Sequence, residues 1–470
     1  MRRVWACLSP AWLCLACFCL AWVCLVRLAA AGADDNRSLG DRTRQYLTDL
    51  VRLDTSNPPG NETRVADYLK QVADNFGIPA ERLGNDPRRL NFVARLKGTG
   101  RGRPLLMLAH SDVAPVSPED RKLWTADPFG AELKNGYIYG RGTLSAKSLL
   151  AAEMSVMVEI KRRNLKLNRD LILVSEADEE AGMTGIQWLI QNSWSKIDAE
   201  FALNEGGSLT ETRDGTKIFG IQTTEKVPVR IILTARGTVG SGAVPRKDNP
   251  ILHVDDAVSR LARAEQPVYL NPTARRYFAA ISELPEYAWL KPLVPKLENA
   301  ATAQMAAEQV HMHDEELDAM LHTTVSSVSQ QNGETVMDVR RLPVAESRED
   351  VLARLRQIVN DSSVEVAFAP GPPMPTTPSS PRSTALYLAM ERAIQRIYPH
   401  DAVIAPFLSR GFTDSGFLRS RGMPVYGVPL FLREPGEPRV RGVDERISPK
   451  ALDDGVELLW QIVLETAGGS

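Results

Sequence analysis

Two apolar runs constrain the fold of this 470-residue chain more than any other feature. Residues 104–109 lead directly into His110, and residues 170–175 come shortly before the acidic pair Glu179 and Glu180. Strands that are buried on both faces show such continuous apolar runs instead of an alternation of apolar and polar residues. Helical patterns lie between the two runs, so this half of the chain predicts a layered α/β sheet covered by helices.

The pattern changes twice in the remainder of the chain. Residues 217–236 are rich in strand patterns, residues 250–320 are helical and polar, and residues 334–340 and 364–368 return to strand. After a Pro/Ser-rich linker the α/β pattern resumes, and it closes with a helix capped by Ser448. A small α+β domain inserted into a larger α/β domain explains this return. The predicted units are an N-terminal segment (1–33), the first part of the large domain (34–225), the inserted domain (226–369) and the second part of the large domain (370–470).

The first 33 residues are predicted to be a targeting segment. Arg2 and Arg3 precede an apolar run over residues 4–26, and the small residues at 29–33 offer A-x-A cleavage positions. The run is longer than the usual signal core of ~7–15 residues, so an uncleaved membrane anchor is the alternative. We therefore expect an exported protein, periplasmic or secreted, that is membrane-anchored if this segment stays attached.

Cysteine placement and charge exclude several classes of function. All five cysteines lie in the targeting segment, so the remainder of the chain has no disulfide, no thiolate metal site and no cysteine nucleophile. The formal net charge is −2, without the clustered basic excess that a nucleic-acid surface needs. We expect no nucleic-acid partner.

Polar side chains follow both apolar runs, and loops at the carboxyl ends of strands in an open α/β sheet are where ligands bind. Two residues apart on an extended segment, His110 and Asp112 share one face, so the aspartate can fix the tautomer of a metal-bound imidazole. Neighbouring carboxylates such as Glu179 and Glu180 diverge, so one can bind a metal while the other abstracts a proton from bound water. Taken singly, each pattern is more common in ordinary hydrogen-bonded or solvated pairs.

In combination, the motifs after the targeting segment are specific. They lie, in order, at residues 54–58, 108–113, 139–143 with Lys147, 178–180, 204–207, 236–238, 338–340, 411–414 and 442–446. Together they resemble the M20 metallopeptidase family, which includes glutamate carboxypeptidase, acetylornithine deacetylase, aminoacylase and carnosinase-like enzymes. The resemblance implies a mixed-sheet zinc-peptidase-type α/β catalytic domain with an inserted α+β lid domain that often dimerises.

The resemblance also implies roles for particular residues. The implied metal ligands are His110 and Glu205 for the first ion and Glu180 for the second. The implied catalytic residues are Glu179 as general base and Asp112 as the residue that orients the histidine.

The resemblance implies substrates and partners as well. Small peptides or N-acyl amino acids are the implied substrates, a homodimer through the lid is the implied assembly, and Asp414 is an implied supporting residue near the site.

Three positions and one segment depart from the family pattern. Ser145 stands where a metal-bridging aspartate is expected, Arg441 where the last metal-binding histidine is expected, and Ser241 where a lid histidine polarises the scissile carbonyl. The lid also lacks an Asn-x-Ile-Pro turn between Val325 and Asp338, so this segment looks shortened.

These substitutions bear directly on the metal. A catalytic zinc typically takes three protein ligands, whereas one site here keeps His110 and Glu205 and the other keeps only Glu180. A guanidinium cannot bind a cation, so we expect Arg441 to form a salt bridge with Glu180 or Glu179 instead. The family expects up to two zinc ions; we expect one or none here.

Two functions therefore stay open. The first is an exported M20-type metallo-hydrolase that cleaves amide bonds of small peptides or N-acyl amino acids, with activity impaired by Ser145, Ser241 and Arg441. The second is a catalytically inactive family member that binds a peptide-like ligand or a partner.

Overall fold

The computed structural model describes residues 37–236, 249–331, 334–343, 345–433 and 440–469. The predicted targeting segment, with all five cysteines, and Ser241 of the lid motif lie outside the described residues. Across the described ranges, no helix is both long enough and apolar enough to cross a membrane.

The described strands form sheets of nine, four and three strands. In chain order they are β1 (Ala80–Leu83), β2 (Asn91–Leu96), β3 (Leu105–His110), β4 (Leu133–Lys134), β5 (Tyr137–Tyr139), β6 (Leu171–Glu176), β7 (Phe201–Asn204), β8 (Ser208–Glu211), β9 (Lys217–Glu225), β10 (Val227–Ala235), β11 (Thr324–Gln331), β12 (Glu334–Arg341), β13 (Val364–Phe368), β14 (Ala402–Ser409), β15 (Val425–Gly427) and β16 (Arg446–Ile447).

The described helices alternate with the strands over much of the chain. In chain order they are α1 (Leu39–Arg52), α2 (Thr63–Asn75), α3 (Pro118–Arg121), α4 (Lys147–Arg162), α5 (Thr184–Asn192), α6 (Trp194–Ile197), α7 (Pro250–Arg263), α8 (Pro272–Ile281), α9 (Val294–Leu297), α10 (Ala303–His313), α11 (Glu315–Asp318), α12 (Arg348–Val359), α13 (Ala385–Ile397), α14 (Ser415–Ser420) and α15 (Pro449–Ala467), with a 3₁₀ helix at Pro285–Leu290. The predicted cap of the last helix is confirmed, because the Ala451 amide donates to Ser448 Oγ at 3.1 Å.

The large sheet is mixed, and its central strands are buried on both faces. The strand order is β1-β2-β6-β3-β7-β15-β9-β14, with β8 paired to β9. Strands β6, β3 and β7 run parallel, whereas β1 and β2 are antiparallel to their neighbours. Alternate residues of β3 enter opposite cores: Leu105 and Met107 pack with α1, α4 and α15, whereas Leu106 and Leu108 pack with α5 and α14. This double burial is the reason for the continuous apolar run.

The four-stranded sheet is antiparallel, in the order β11-β12-β10-β13. Helices α7 and α12 cover one of its faces, and their apolar side chains share a core with alternate residues of β10. Strands β11 and β12 pair with each other up to Gln331 and Glu334, which are direct partners. This close pairing accounts for the shortened segment between Val325 and Asp338.

The helices between Pro272 and Asp318 pack on the large sheet, although they fall inside the predicted inserted domain of residues 226–369. The Tyr277 ring of α8 lies 5.2 Å from the Phe407 ring of β14, and both share a core with residues of α10. The inserted region therefore consists of the four-stranded sheet with two helices, plus a helical segment attached to the large sheet. An amphipathic stripe predicts that a helix face is buried but not which sheet covers it.

Candidate active site

The site lies where two central strands end. His110 is the last residue of β3, and its direct partner in the parallel strand β6 is Glu176, the last residue of that strand. Parallel strands end at the same edge of a sheet, so the loops that follow them meet there. This edge brings Asp112 close to Glu179 and Glu180, as the sequence predicted.

Asp112 connects the histidine to the acidic pair. Its Oδ1 lies 3.2 Å from His110 Nδ1, and its carboxylate accepts hydrogen bonds from the backbone amides of Glu179 at 3.1 Å and Glu180 at 2.9 Å. The His110 Nδ1 atom also lies 2.9 Å from the Asp112 carbonyl oxygen. The predicted orienting contact is confirmed, and Nε2 is left to face the centre of the site.

A second layer of polar residues, for which the sequence predicted no role, supports this pair. Asn57 Nδ2 donates to Asp112 Oδ2 at 2.7 Å and to Asp178 Oδ1 at 2.9 Å. Arg89 Nη2 donates to the same Asp178 oxygen at 2.9 Å and to Glu62 at 2.6 Å. Both Asn57 and Asp178 stand in recognised motifs, but their partners lie far apart in the chain, so no spacing pattern could pair them.

The centre of the site contains the predicted metal-ligating residues. His110 Nε2 lies 3.6 Å from Glu205 Oε1 and 4.0 Å from Glu179 Oε2. The Ser145 hydroxyl lies 3.4 Å from both His110 Nε2 and Glu205 Oε2. Ligand atoms of His110, Glu179 and Glu180 all lie within 4.8 Å of one another. The structure therefore brings these five side chains together.

Arg441 reaches into the same centre from the loop before β16. Its Nε donates to Glu180 Oε1 at 2.8 Å, and its Nη2 lies 3.5 Å from Glu179 Oε2. Both glutamates are nearly buried, whereas 47% of the arginine side chain is exposed. The predicted salt bridge is confirmed, and it supplies one positive charge at the acidic pair.

Burial and mutual repulsion shape the ionisation of this centre. Burial raises the pKa of Glu179 and of Glu180, and the nearby His110 and Arg441 charges offset this only in part. Burial alone would lower the pKa of His110, but the carboxylates of Glu205, Asp112 and Glu179 hold it well above the usual value. The three carboxylates thus favour a positive charge on the His110 ring.

Glu445 couples the loops that carry the two substituted positions. Its buried carboxylate accepts hydrogen bonds from the amides of Gly142 at 3.0 Å and Leu144 at 2.8 Å and from Arg141 Nη1 at 2.8 Å. Pairing of β16 with β5 holds the same loops together. The hydrogen bonds of Glu445 therefore hold the loop that carries Ser145 against the loop that carries Arg441.

Asp414, predicted to support the site, is buried beside it. Burial and the Glu176 carboxyl raise the pKa of Asp414, and burial raises the pKa of Glu176 to about 8. The preceding Thr413 donates through its amide and hydroxyl to Glu225 at 3.0 and 2.9 Å, which fixes the loop.

The donor set does not fit a two-ion centre. One half of the site offers His110, Glu205 and the neutral Ser145 hydroxyl, which is a poor substitute for a bridging carboxylate. The other half offers Glu180, whose Oε1 accepts from Arg441. A second dication would have to displace that guanidinium and find two further ligands. As placed, these residues do not match the donor set of a two-ion centre.

A cleft of about 1100 Å³ opens from this centre between the large sheet and the four-stranded sheet. Glu179, Glu180 and Arg441 line one part of it. The apolar part of its wall contains Met183, Val227, Phe368, Met374, Phe412 and Phe417. The cationic part contains Arg230, Arg340, Arg341, Arg348 and Arg410.

Comparison with known proteins agrees with this geometry. Residues 106–465 match the family model described as Peptidase family M20/M25/M40. Human N-fatty-acyl-amino acid synthase/hydrolase PM20D1 is 24% identical over 383 residues, which cover 77% of this chain and 74% of that protein. A probable succinyl-diaminopimelate desuccinylase of Staphylococcus aureus (strain MRSA252) is 32% identical over 203 residues, or 43% of this chain and 46% of that protein.

Solved structures share the fold. The M20 family metallo-carboxypeptidase Sso-CP2 from Sulfolobus solfataricus superposes with a TM-score of 0.65 at 18% identity, covering 89% of this chain and 98% of that one. Human carnosine dipeptidase 1 gives a TM-score of 0.61 at 15% identity, with 91% and 96% covered. The Bacillus subtilis YXEP protein, a dinuclear metal binding peptidase, gives 0.52 at 16% identity, with 91% and 99% covered.

Proposed function

This chain belongs to peptidase family M20/M25/M40, and from that premise we propose that it binds N-acyl amino acids or small peptides but hydrolyses them poorly. One observation carries the proposal: the Arg441 guanidinium bonds Glu180 at 2.8 Å and lies 3.5 Å from Glu179. The positive charge in this half of the site is thus the Arg441 guanidinium. Unlike a zinc ion, a guanidinium has no vacant coordination position for water or for a carbonyl oxygen.

The substitutions weaken the same step of hydrolysis, the attack of water on the amide carbonyl. Bound zinc would supply a nucleophile by lowering the pKa of water from 15.7 to about 7. The motif position of Ser241 carries a second deficit, because loss of one oxyanion donor slows acyl transfer by about 10²–10³-fold. Ser145 removes the carboxylate that would hold two ions together. Glu179 and the His110–Asp112 pair remain in place to hold or move a proton.

The cleft supports an acylated, carboxylate-bearing ligand. Small-molecule sites are concave and mostly apolar, with a few polar groups that fix orientation. Here Phe412, Phe417 and Met374 offer an apolar surface for an acyl group, and the exposed Arg230 offers charge for a carboxylate. An N-acyl amino acid carries both features, and PM20D1 is named for ligands of this kind.

Calorimetry with N-hexanoyl-phenylalanine and with a dipeptide, combined with elemental zinc analysis and product chromatography, tests the proposal. We expect saturable binding, at most one zinc per chain, and turnover reduced at least about 10²-fold relative to human PM20D1 assayed in parallel. Two zinc ions per chain with comparable turnover would contradict impairment. Absence of binding would contradict the ligand class.

A weak single-ion hydrolase is the second candidate, because ligand atoms of His110, Glu179 and Glu180 lie within 4.8 Å of one another. In that case turnover would be slow, would require added zinc, and would vanish in Glu179→Gln. A protein that binds the ligand without hydrolysing it would show the same low background turnover in the variant and in the wild type.

We also propose that the chain is exported. The support is the sequence of the first 33 residues, with its basic start, apolar run and A-x-A positions. Mass spectrometry of the protein from its native host is expected to show a mature N-terminus close to residue 34. An intact N-terminus in the membrane fraction would favour the anchored form.

A homodimer through the lid domain is a further proposal, which follows the family. The exposed edge strand β11 supports it, because an edge strand presents unpaired backbone groups to a partner. Light scattering that reports a monomer at micromolar concentration would contradict it.

A further inference from the structure

Arg341 is a buried cation in the wall of the cleft. It is the last residue of β12, it is only 5% exposed, and it lines the cleft. Its direct partner in β10 is Val227, which is buried as well. A guanidinium group keeps its charge when it is buried, so its surroundings have to compensate for the water that it has lost.

The hydrogen bonds of Arg341 go to neutral acceptors. Its Nη1 donates to the carbonyl oxygen of Glu346, and its Nη2 donates to the Thr376 hydroxyl. Its Nε is buried and has no hydrogen-bond partner among the described residues. A guanidinium carries five N–H donors, so these contacts leave three of them without an acceptor in the described part of the chain.

These contacts also place the guanidinium at the surface of the cleft. Glu346 lies in the loop before α12, and Thr376 lies between β13 and α13. Both residues line the cleft, as Arg341 does. A group that bonds two lining residues from separate segments lies where those segments meet, at the wall itself.

The acids near Arg341 are paired with other arginines. Glu346 binds Arg354, and Glu349 lies 3.3 Å from Arg348 Nε. Burial lowers the pKa of Arg341, and the charges of Glu346 and Glu349 offset this only in part. Among the described residues, no carboxylate forms a salt bridge with Arg341.

This combination distinguishes Arg341 from the other five arginines that line the described part of the cleft. Arg230 has no described carboxylate partner either, but it is exposed, so water can solvate its charge. The other four lie close to a carboxylate: Arg340 to Asp338 at 2.8 Å, Arg348 to Glu349 at 3.3 Å, Arg410 to Glu316 at 2.7 Å and Arg441 to Glu180 at 2.8 Å.

The wall beside Arg341 is partly apolar. Phe368 and Met374 line the cleft on the segments that carry Thr376 and the end of β13. The Arg348 guanidinium lies 3.7 Å from the centre of the Phe368 ring. A charge-assisted hydrogen bond is stronger in such surroundings than in water, because the local dielectric constant is low.

We propose that Arg341 binds the carboxylate of the cleft ligand and thereby makes the cleft specific for N-acyl amino acids over their neutral amides. One edge of a guanidinium presents two parallel N–H groups to the two oxygens of a carboxylate, and the free Nε of Arg341 belongs to such an edge. The bound carboxylate supplies the negative charge that the protein does not place there. Exposed Arg230 attracts an anion towards the cleft, whereas buried Arg341 holds it.

This inference rests on the proposed function for its ligand. It adds a specificity-determining residue outside the metal-type centre, and binding there forms hydrogen bonds only.

Titration calorimetry of the full chain with two matched probes tests the specificity. N-hexanoyl-phenylalanine carries the carboxylate, and N-hexanoyl-phenylalanine amide has the same acyl group and ring without it. The acid is expected to bind about 10–100-fold more tightly than the amide, which is the usual worth of hydrogen bonds to a charged group. Equal affinity of the wild-type chain for the two probes would overturn the inference, and this comparison needs no variant.

A variant assigns the preference to its residue. Arg341→Met is expected to lose the preference for the acid while it keeps its affinity for the amide. Arg356→Met is the matched control, since Arg356 also donates to a backbone carbonyl, that of Val366 at 3.0 Å, but does not line the cleft; its preference should equal that of the wild type. An unchanged preference in folded Arg341→Met would reject Arg341 as the carboxylate-binding residue.

Two further variants separate carboxylate binding from a purely structural role. Thr376→Val removes one contact of the guanidinium but keeps its charge, so the preference for the acid should persist. Arg341→Lys keeps the charge but not the paired N–H groups, so its preference should lie between those of the wild type and Arg341→Met. If Thr376→Val and Arg341→Met weaken both probes equally, Arg341 only holds its neighbours together and the inference is wrong. Should Arg341→Met fail to fold, a full wild-type preference in Arg341→Lys would contradict the forked contact.

The outcomes also distinguish this inference from the proposed function. If neither probe binds the wild-type chain, the ligand class fails and the inference falls with it. If both probes bind with the same affinity, the acyl part of the ligand class stands and the role of Arg341 alone is rejected.

Discussion

Tight binding of two zinc ions per chain is the expected result of combining Ser145→Asp with Arg441→His. The aspartate would restore a carboxylate between the two halves of the site, at the position whose serine hydroxyl now lies 3.4 Å from His110 Nε2. The histidine would replace a guanidinium that bonds Glu180 with a neutral ligand that binds zinc. Loss of a residue that merely orients a ligand weakens metal binding by 10–100-fold, so restoring two direct ligands should strengthen it by at least about 100-fold.

Metal content by elemental analysis and zinc affinity by competition with a chelator measure this effect. Each single variant should fall short of the double variant, because either one leaves a half-site incomplete. Val440→His is the control, since it places a histidine next to the critical position without removing the Arg441 salt bridge. A double variant that binds zinc no better than this control would show that the site has lost more than two ligands.

A large loss of stability is the expected result of Arg419→Met. Arg419 Nη1 bonds Glu225 Oε1 at 3.0 Å, and the two side chains are only 4% and 3% exposed. Removal of one partner leaves a buried carboxylate without its counter-charge, which typically destabilises a protein by about 3–5 kcal/mol. The same carboxylate accepts both hydrogen bonds from Thr413, so the loop that carries Asp414 should loosen as well.

Urea denaturation followed by circular dichroism measures the free energy of unfolding. Arg396→Met is the matched control, because Arg396 bonds Glu465 at 3.0 Å with more than half of its side chain exposed; it should lose at most about 1 kcal/mol. Pairing Arg419→Met with Glu225→Leu should recover part of the loss. An Arg419→Met effect no larger than that of the control would mean that water compensates the buried charge.

The local elements of the large domain could be predicted because each has a short-range cause. The apolar runs of β3 and β6 predicted strands buried on both faces, and the polar residues that follow them predicted a site at their carboxyl ends. Family motifs then identified His110, Glu179, Glu180 and Glu205 as a group, and the structure brings them together. The Arg441 salt bridge could be predicted as well, since a fixed cation beside two glutamates has few alternatives.

The sequence by itself thus determined the strand cores, the site at the sheet edge and the identity of its charged groups, because periodicity and charge are properties of short segments. Only the tertiary structure decided that α8 and α10 cover the large sheet, because an amphipathic face fits any apolar surface. It also decided that Asn57 bridges two aspartates and that the buried Lys226 amine donates to Thr324. These contacts join segments far apart in the chain, and the burial that gives each its energy exists only once the sheets have packed.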